Sequence, residues 1–157
     1  MTKKQIIYLV LIIIWMVLIF FLSSFNGEKS EHQSDVVIVK TAEVIKNEKL
    51  NNTEKRKLID KYMEPVRSGA HFILYFILGI LVYLFINSKF DKHKIIFILS
   101  TIICFLYAIS DEIHQYFTFE RAAEIKDIFI DTCGAVLSIS LMLGIKKIVE
   151  KKKASWE

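Results

Sequence analysis

Residues 6–25 carry no charged side chain and are almost wholly apolar. As a helix rising about 1.5 Å per residue, such a run reaches across a hydrocarbon core of roughly 30 Å. Three more apolar runs follow at 70–86, 95–109 and 128–145. A chain with four such runs has few folds open to it. Lipid offers no hydrogen bonds, so each run must satisfy its own backbone as a helix. The last two are short for a full crossing, and their helices are expected to extend into polar flanks or to sit where the bilayer thins. The expectation is one all-α domain, 1–157. It is an integral membrane four-helix bundle with short external amphipathic helices in the loop 26–67. A hydrophobic fraction of 54% agrees with that class. A signal peptide is the rival reading of the first run, given Lys3 and Lys4. Its length and the lack of an A-x-A site favour a retained span.

The net charge of +4 is clustered. Lys3 and Lys4 begin the chain, Lys89, Lys92 and Lys94 lie between the second and third runs, and Lys146, Lys147 and Lys151–Lys153 end it. Four crossings put all three groups on one side, and the positive-inside rule makes that side, with both termini, cytoplasmic. The basic residues are thus a topology signal, and no nucleic-acid partner is expected. Cys104 and Cys133 lie inside apolar runs and read as small packed hydrophobes rather than a disulfide.

In the first loop, Ser30 and Gln33 have capping-box spacing, and Val37, Ile38, Thr41, Val44 and Ile45 recur on one helical face. Thr53 is a candidate cap for a second short helix bearing Leu58, Ile59, Tyr62 and Met63, and Pro65 is expected to break the chain before the second span. Two amphipathic helices on the outer surface and a solvated loop with helical turns both fit this pattern.

The ionisable groups gather at one membrane level. Arg67 and His71 are four apart at the start of the second span. Asp111, His114 and Gln115 share a face beyond the third, beside Glu112. Asp127 and Asp131 are four apart at the start of the fourth, and Arg121 lies in the connecting loop. Asp131 sits within a span, where a carboxylate costs on the order of 2.5–3.5 kcal/mol and is normally turned inward and paired. Arg67 and Arg121 are the expected partners, and Gly134 lets a neighbouring helix approach that face. A salt-bridge network that holds helix register explains the same residues. His71 and His114 fit packing, an acid–base pair with Asp127 or Asp131, or, together with acids, a metal site; spacing does not choose. Without a recognised ligand motif, no metal and no cofactor is assigned. Ser110 and Thr132 carry no nucleophile motif.

The stretches "RSGAHFILYFILG" at 67–79 and "SDEIHQYFTFERAAEIKDIFIDTCG" at 110–134, with "FLSSF" at 21–25, resemble the VanZ-like family of small bacterial membrane proteins. The resemblance spans nearly the whole chain. It marks Arg67, His71, Tyr75, Asp111, Glu112, His114, Gln115, Arg121, Asp127, Asp131 and Gly134 as motif residues. Phe119 and Glu120 stand where the family usually has Pro-Gly, which puts the turn before Arg121 in doubt. The founding member is associated with teicoplanin resistance, and membership names no reaction. The resemblance therefore implies an envelope protein of the bacterial cell membrane in contact with lipid. Arg67, His71, Asp111, Glu112, His114, Gln115, Arg121, Asp127 and Asp131 would meet a lipidated or lipid-linked ligand at the outer leaflet. An intramembrane enzyme using His71 or His114 with Asp127 or Asp131 is the alternative, and a dimer or larger oligomer is compatible with either.

Overall fold

The structure, a computed structural model, describes residues 1–24, 27–117 and 124–155, and for 27–34 the backbone alone. Five helices follow in order: α1 (Lys3–Ser23), α2 (Gly27–Lys46), α3 (Asn52–Asn87), α4 (His93–Tyr116) and α5 (Ile125–Ala154). No strand occurs among the described residues. All but α2 are long and apolar enough to cross a membrane. The expected spans 70–86, 95–109 and 128–145 each lie within one of those four, extended into polar flanks; the first, 6–25, runs past the end of α1 at Ser23, and Phe25 lies outside the described residues. At α4 and α5 that extension gives the reach the apolar runs lacked, since 24 residues rise about 36 Å.

α3 is the hub and packs against every other helix, whereas α1 and α5 do not touch. Helix association in lipid gains little from the hydrophobic effect and depends on close packing. The α3–α5 seam shows this. A methyl group on Gly79 would meet Ser138 and the backbone of Ala135, and one on Gly134 would meet the Phe72 carbonyl. Tyr75, Leu78, Ile96, Cys104, Ala108, Ala135 and Ile139 fill the centre. Outward positions such as Ile14, Val17, Phe21, Ile102, Leu106, Leu141 and Ile145 stay apolar and exposed, as a lipid-facing surface requires. Cys104 is buried as expected, but Cys133 is on the exposed face; both thiols are free.

α1 is docked by aromatic donors. Trp15 Nε1 donates to the Leu74 carbonyl at 2.9 Å, and Tyr107 Oη donates to the Met16 carbonyl at 2.6 Å. At the lysine-rich end, Gln5 Nε2 donates to the Ser88 carbonyl at 3.0 Å and Lys146 Nζ to Asn87 Oδ1 at 2.7 Å. The start of α1, the α3–α4 turn and the last third of α5 therefore share one end of the bundle.

The first loop differs from expectation in two ways. α2 begins at Gly27, so Ser30 lies inside the helix and does not cap it. The second amphipathic segment is fused to the second span. α3 starts under an Asn51 cap and not at Thr53, which lies inside the helix; Asn51 and Glu54 form a reciprocal capping box, and the helix runs through Pro65. Proline in a helix interior removes one hydrogen bond and costs about 3 kcal/mol. Here the helix continues through it, and α3 as a whole packs against α2 and the rest of the bundle. At 36 residues α3 is about 54 Å long, so its first half stands beyond the hydrocarbon with α2 folded back along it.

Candidate functional site

The end opposite the lysines collects the polar groups. α1 arrives with Ser23 and Ser24, α3 with Arg67, His71 and Tyr75, α4 with Asp111–Gln115, and α5 with Asp127 and Asp131. Asp111 and Asp131 are each 2% exposed.

Arg67 Nη2 lies 3.5 Å from Asp127 Oδ2, at a half-open edge. Deeper, His71 Nδ1 lies 3.8 Å from Asp131 Oδ2. Among the described residues the basic side chain beside Asp131 is thus a histidine, whereas an arginine was expected; Arg67 reaches the acid one turn earlier. The approach that makes this pairing possible is backbone-level: Gly134 faces Phe72, so Asp131 and His71 sit beside a close approach of the two helices. Asp111 Oδ2 accepts from Ser23 Oγ at 3.0 Å and from Gln115 Nε2 at 3.2 Å. Tyr75, wholly buried, stands close to both Asp111 and Asp131. One ligand atom from each of His71, Asp111 and Asp131 falls within 4.8 Å of the others.

Two sequence candidates stand apart from this triad. His114 stacks on Phe20 with ring centroids 3.9 Å apart, and its Nε2 lies 2.9 Å from Ser24 Oγ. Glu112 is buried and accepts the backbone N–H of Glu124, closing the base of the α4–α5 connection. Lys126 pairs with Glu64, a further α3–α5 tie beside Arg67 and Asp127. Arg121, with Phe119 and Glu120, lies outside the described residues. Ser110 Oγ donates to the Tyr107 carbonyl at 2.7 Å on its own helix.

The serines of α1 are the residues that sequence reasoning passed over. Their signal was present: a Ser-Ser pair ending an otherwise apolar run, at the level where the carboxylates lie. A hydroxyl there needs an acceptor: Ser23 donates to Asp111, and Ser24 donates to the Phe20 carbonyl at 2.6 Å while its oxygen lies beside His114 Nε2.

No curated protein and no solved structure is significantly similar to the chain. The VanZ/LLP1 family profile matches residues 8–147, which covers α3 and α4 whole, most of α1 and α5, and every described member of the polar cluster. The chain is a multi-pass membrane protein that belongs to the VanZ/LLP1 family.

Proposed function

We propose that this protein works in a bacterial cell membrane with both termini in the cytoplasm. It takes a lipidated or lipid-linked ligand at the outer leaflet and so contributes to teicoplanin-type glycopeptide resistance. One observation carries the reading: a polar cluster inside an apolar bundle adjoins an apolar groove at the same end. The groove runs between α2 and α3, lined by Val37, Ile38, Ala42, Ile45, Leu58 and Tyr62, and its last lining residue is Val66, next to Arg67. Its volume of about 390 Å³ is in the range of small-ligand sites. An acyl or prenyl chain fits the groove, and a polar head fits the cluster. Arg67, one-third exposed, is the donor at the border between them.

The test is teicoplanin susceptibility of a sensitive bacterium producing the protein, with membrane levels matched across variants. The wild type raises the inhibitory concentration. Arg67→Gln and His114→Gln return it toward the vector control. No rise with well-produced wild-type protein sinks the resistance reading.

The His71–Asp131 pair supports a second reading, an intramembrane enzyme acting on a phospholipid or cell-wall lipid intermediate. His71 would be the acid–base and Asp131 would orient it. Chemical change in such a lipid on incubation with purified protein, lost in His71→Gln, separates this from binding alone.

A further inference from the structure

We infer that His71, Asp111 and Asp131 form a binding site for one first-row divalent transition-metal ion. The inference stands on these three residues and does not require the resistance reading.

The first argument is geometric. The three candidate ligand atoms come from three different helices, α3, α4 and α5, and lie within 4.8 Å of one another. Nitrogen and oxygen ligands held at about 2.0–2.2 Å around one ion stand roughly 3–4 Å apart. Small side-chain rotations bring this triad to that spacing, and the 3.8 Å between His71 Nδ1 and Asp131 Oδ2 already matches it.

The second argument concerns oxygens. Asp111 and Asp131 are both about 98% buried by exposure. Each has a second carboxylate oxygen, Oδ1, that is buried and has no hydrogen-bond donor among the described residues. Two buried carboxylates facing one imidazole need a counter-charge. Arg67 is engaged by Asp127, and no lysine among the described residues pairs with either acid. A dication would balance these carboxylates and coordinate the Oδ1 oxygens that have no donor among the described residues.

The third argument is the outer shell. Ser23 and Gln115 both donate to Asp111 Oδ2, which holds that carboxylate in place and leaves Oδ1 turned elsewhere. Such bonds orient the ligands of a metal site. Imidazole with two carboxylates suits Zn²⁺ or Mn²⁺ better than the all-oxygen set of Mg²⁺ or Ca²⁺. Three protein ligands leave a coordination position open, as sites that receive an exchangeable ligand do. An anionic head group held in the cluster would meet the ion there.

The experiment uses full-length protein in detergent, stripped with chelator and titrated with Zn²⁺, Mn²⁺ or Mg²⁺. Calorimetry gives affinity, and elemental analysis after desalting gives stoichiometry. One Zn²⁺ or Mn²⁺ per chain is expected, with Mg²⁺ much weaker. Asp131→Asn and His71→Gln should each weaken binding by more than about tenfold, the low end for disturbing a metal's ligand shell. His93→Gln, at the opposite end, should leave it unchanged. If Asp131→Asn does not yield monodisperse protein, His71→Gln decides. Wild-type protein that binds no transition ion overturns the inference. So does binding that survives both cluster variants, or binding lost in His93→Gln instead.

Discussion

Gly134 shows how one residue sets both a packing distance and a polar contact. A side chain there would run into the backbone of Phe72, the neighbour of His71. Gly69 and Gly144, by contrast, have open space where a methyl group would go. In a helix interior, Gly→Ala normally gains about 0.8–1 kcal/mol. Gly69→Ala and Gly144→Ala should therefore keep or raise thermal stability in detergent. Gly134→Ala should lower it, because overpacking costs about 1–3 kcal/mol and exceeds that gain. It should also push His71 away from Asp131. Equal melting temperatures for all three variants would mean that the seam yields without cost. The partner of Asp131 was not legible in the sequence for a related reason. Periodicity places Asp127 and Asp131 on one face of α5. It does not say how far α3 is rotated or slid along that face, so Arg67 and His71 were both open to either acid. Only the Gly134–Phe72 approach settles which level of α3 meets which level of α5.

At the scale of elements, the α2–α3 hairpin is the part that stands outside the spans. Asn47 follows α2 with φ of 53°, a left-handed conformation that asparagine tolerates better than most residues. Glu43 then ties the turn together. It accepts the Leu50 N–H at 3.2 Å and lies 3.3 Å from Lys55 Nζ. The Leu50 hydrogen bond, then Lys55, hold its carboxyl below the ordinary glutamate value, with Lys49 adding to the effect. A depressed carboxyl gives stability that is present above its unfolded value and is lost as pH falls through the folded one. Acidification below about pH 4.5 should therefore loosen the turn, seen as faster exchange of the Leu50 amide after correction for intrinsic rates. Glu43→Gln keeps an acceptor at every pH and should remove that dependence; a dependence that persists would point to another group. The four long helices were legible because apolar length has few outcomes in lipid. The continuity of α3 was not. Pro65 signals a break locally, yet the helix runs through it, and the packing of α3 against every other helix is not contained in a local pattern. A helix over α2 was readable from the recurrence of Val37, Ile38, Thr41, Val44 and Ile45, but most of that face is not packed in the bundle. Of these, Ile38 is buried against α3 while Val37, Val44 and Ile45 remain largely exposed.

On the scale of the whole molecule, the two ends of the bundle differ in kind. One gathers Lys3, Lys4, Lys89, Lys92, Lys94 and Lys146, tied together by the Gln5–Ser88 and Lys146–Asn87 bonds. The other carries the buried acids, the two α1 serines and the hairpin. This polarity predicts orientation, since basic residues near span ends stay in the cytoplasm. With Cys104→Ala and Cys133→Ser as background, Lys89→Cys and Lys152→Cys should resist a membrane-impermeant maleimide in intact cells and react after permeabilisation. Glu48→Cys, at the hairpin turn, should react without it. The positions sample both ends of the bundle, so one result constrains the others. Labelling of Lys89→Cys in intact cells, with Glu48→Cys protected, would invert the molecule and put the polar cluster at the cytoplasmic leaflet. Glycopeptides acting outside would then have no access to it. The metal site would be untouched by that outcome, because its three ligands depend on how α3, α4 and α5 pack and not on which leaflet they face.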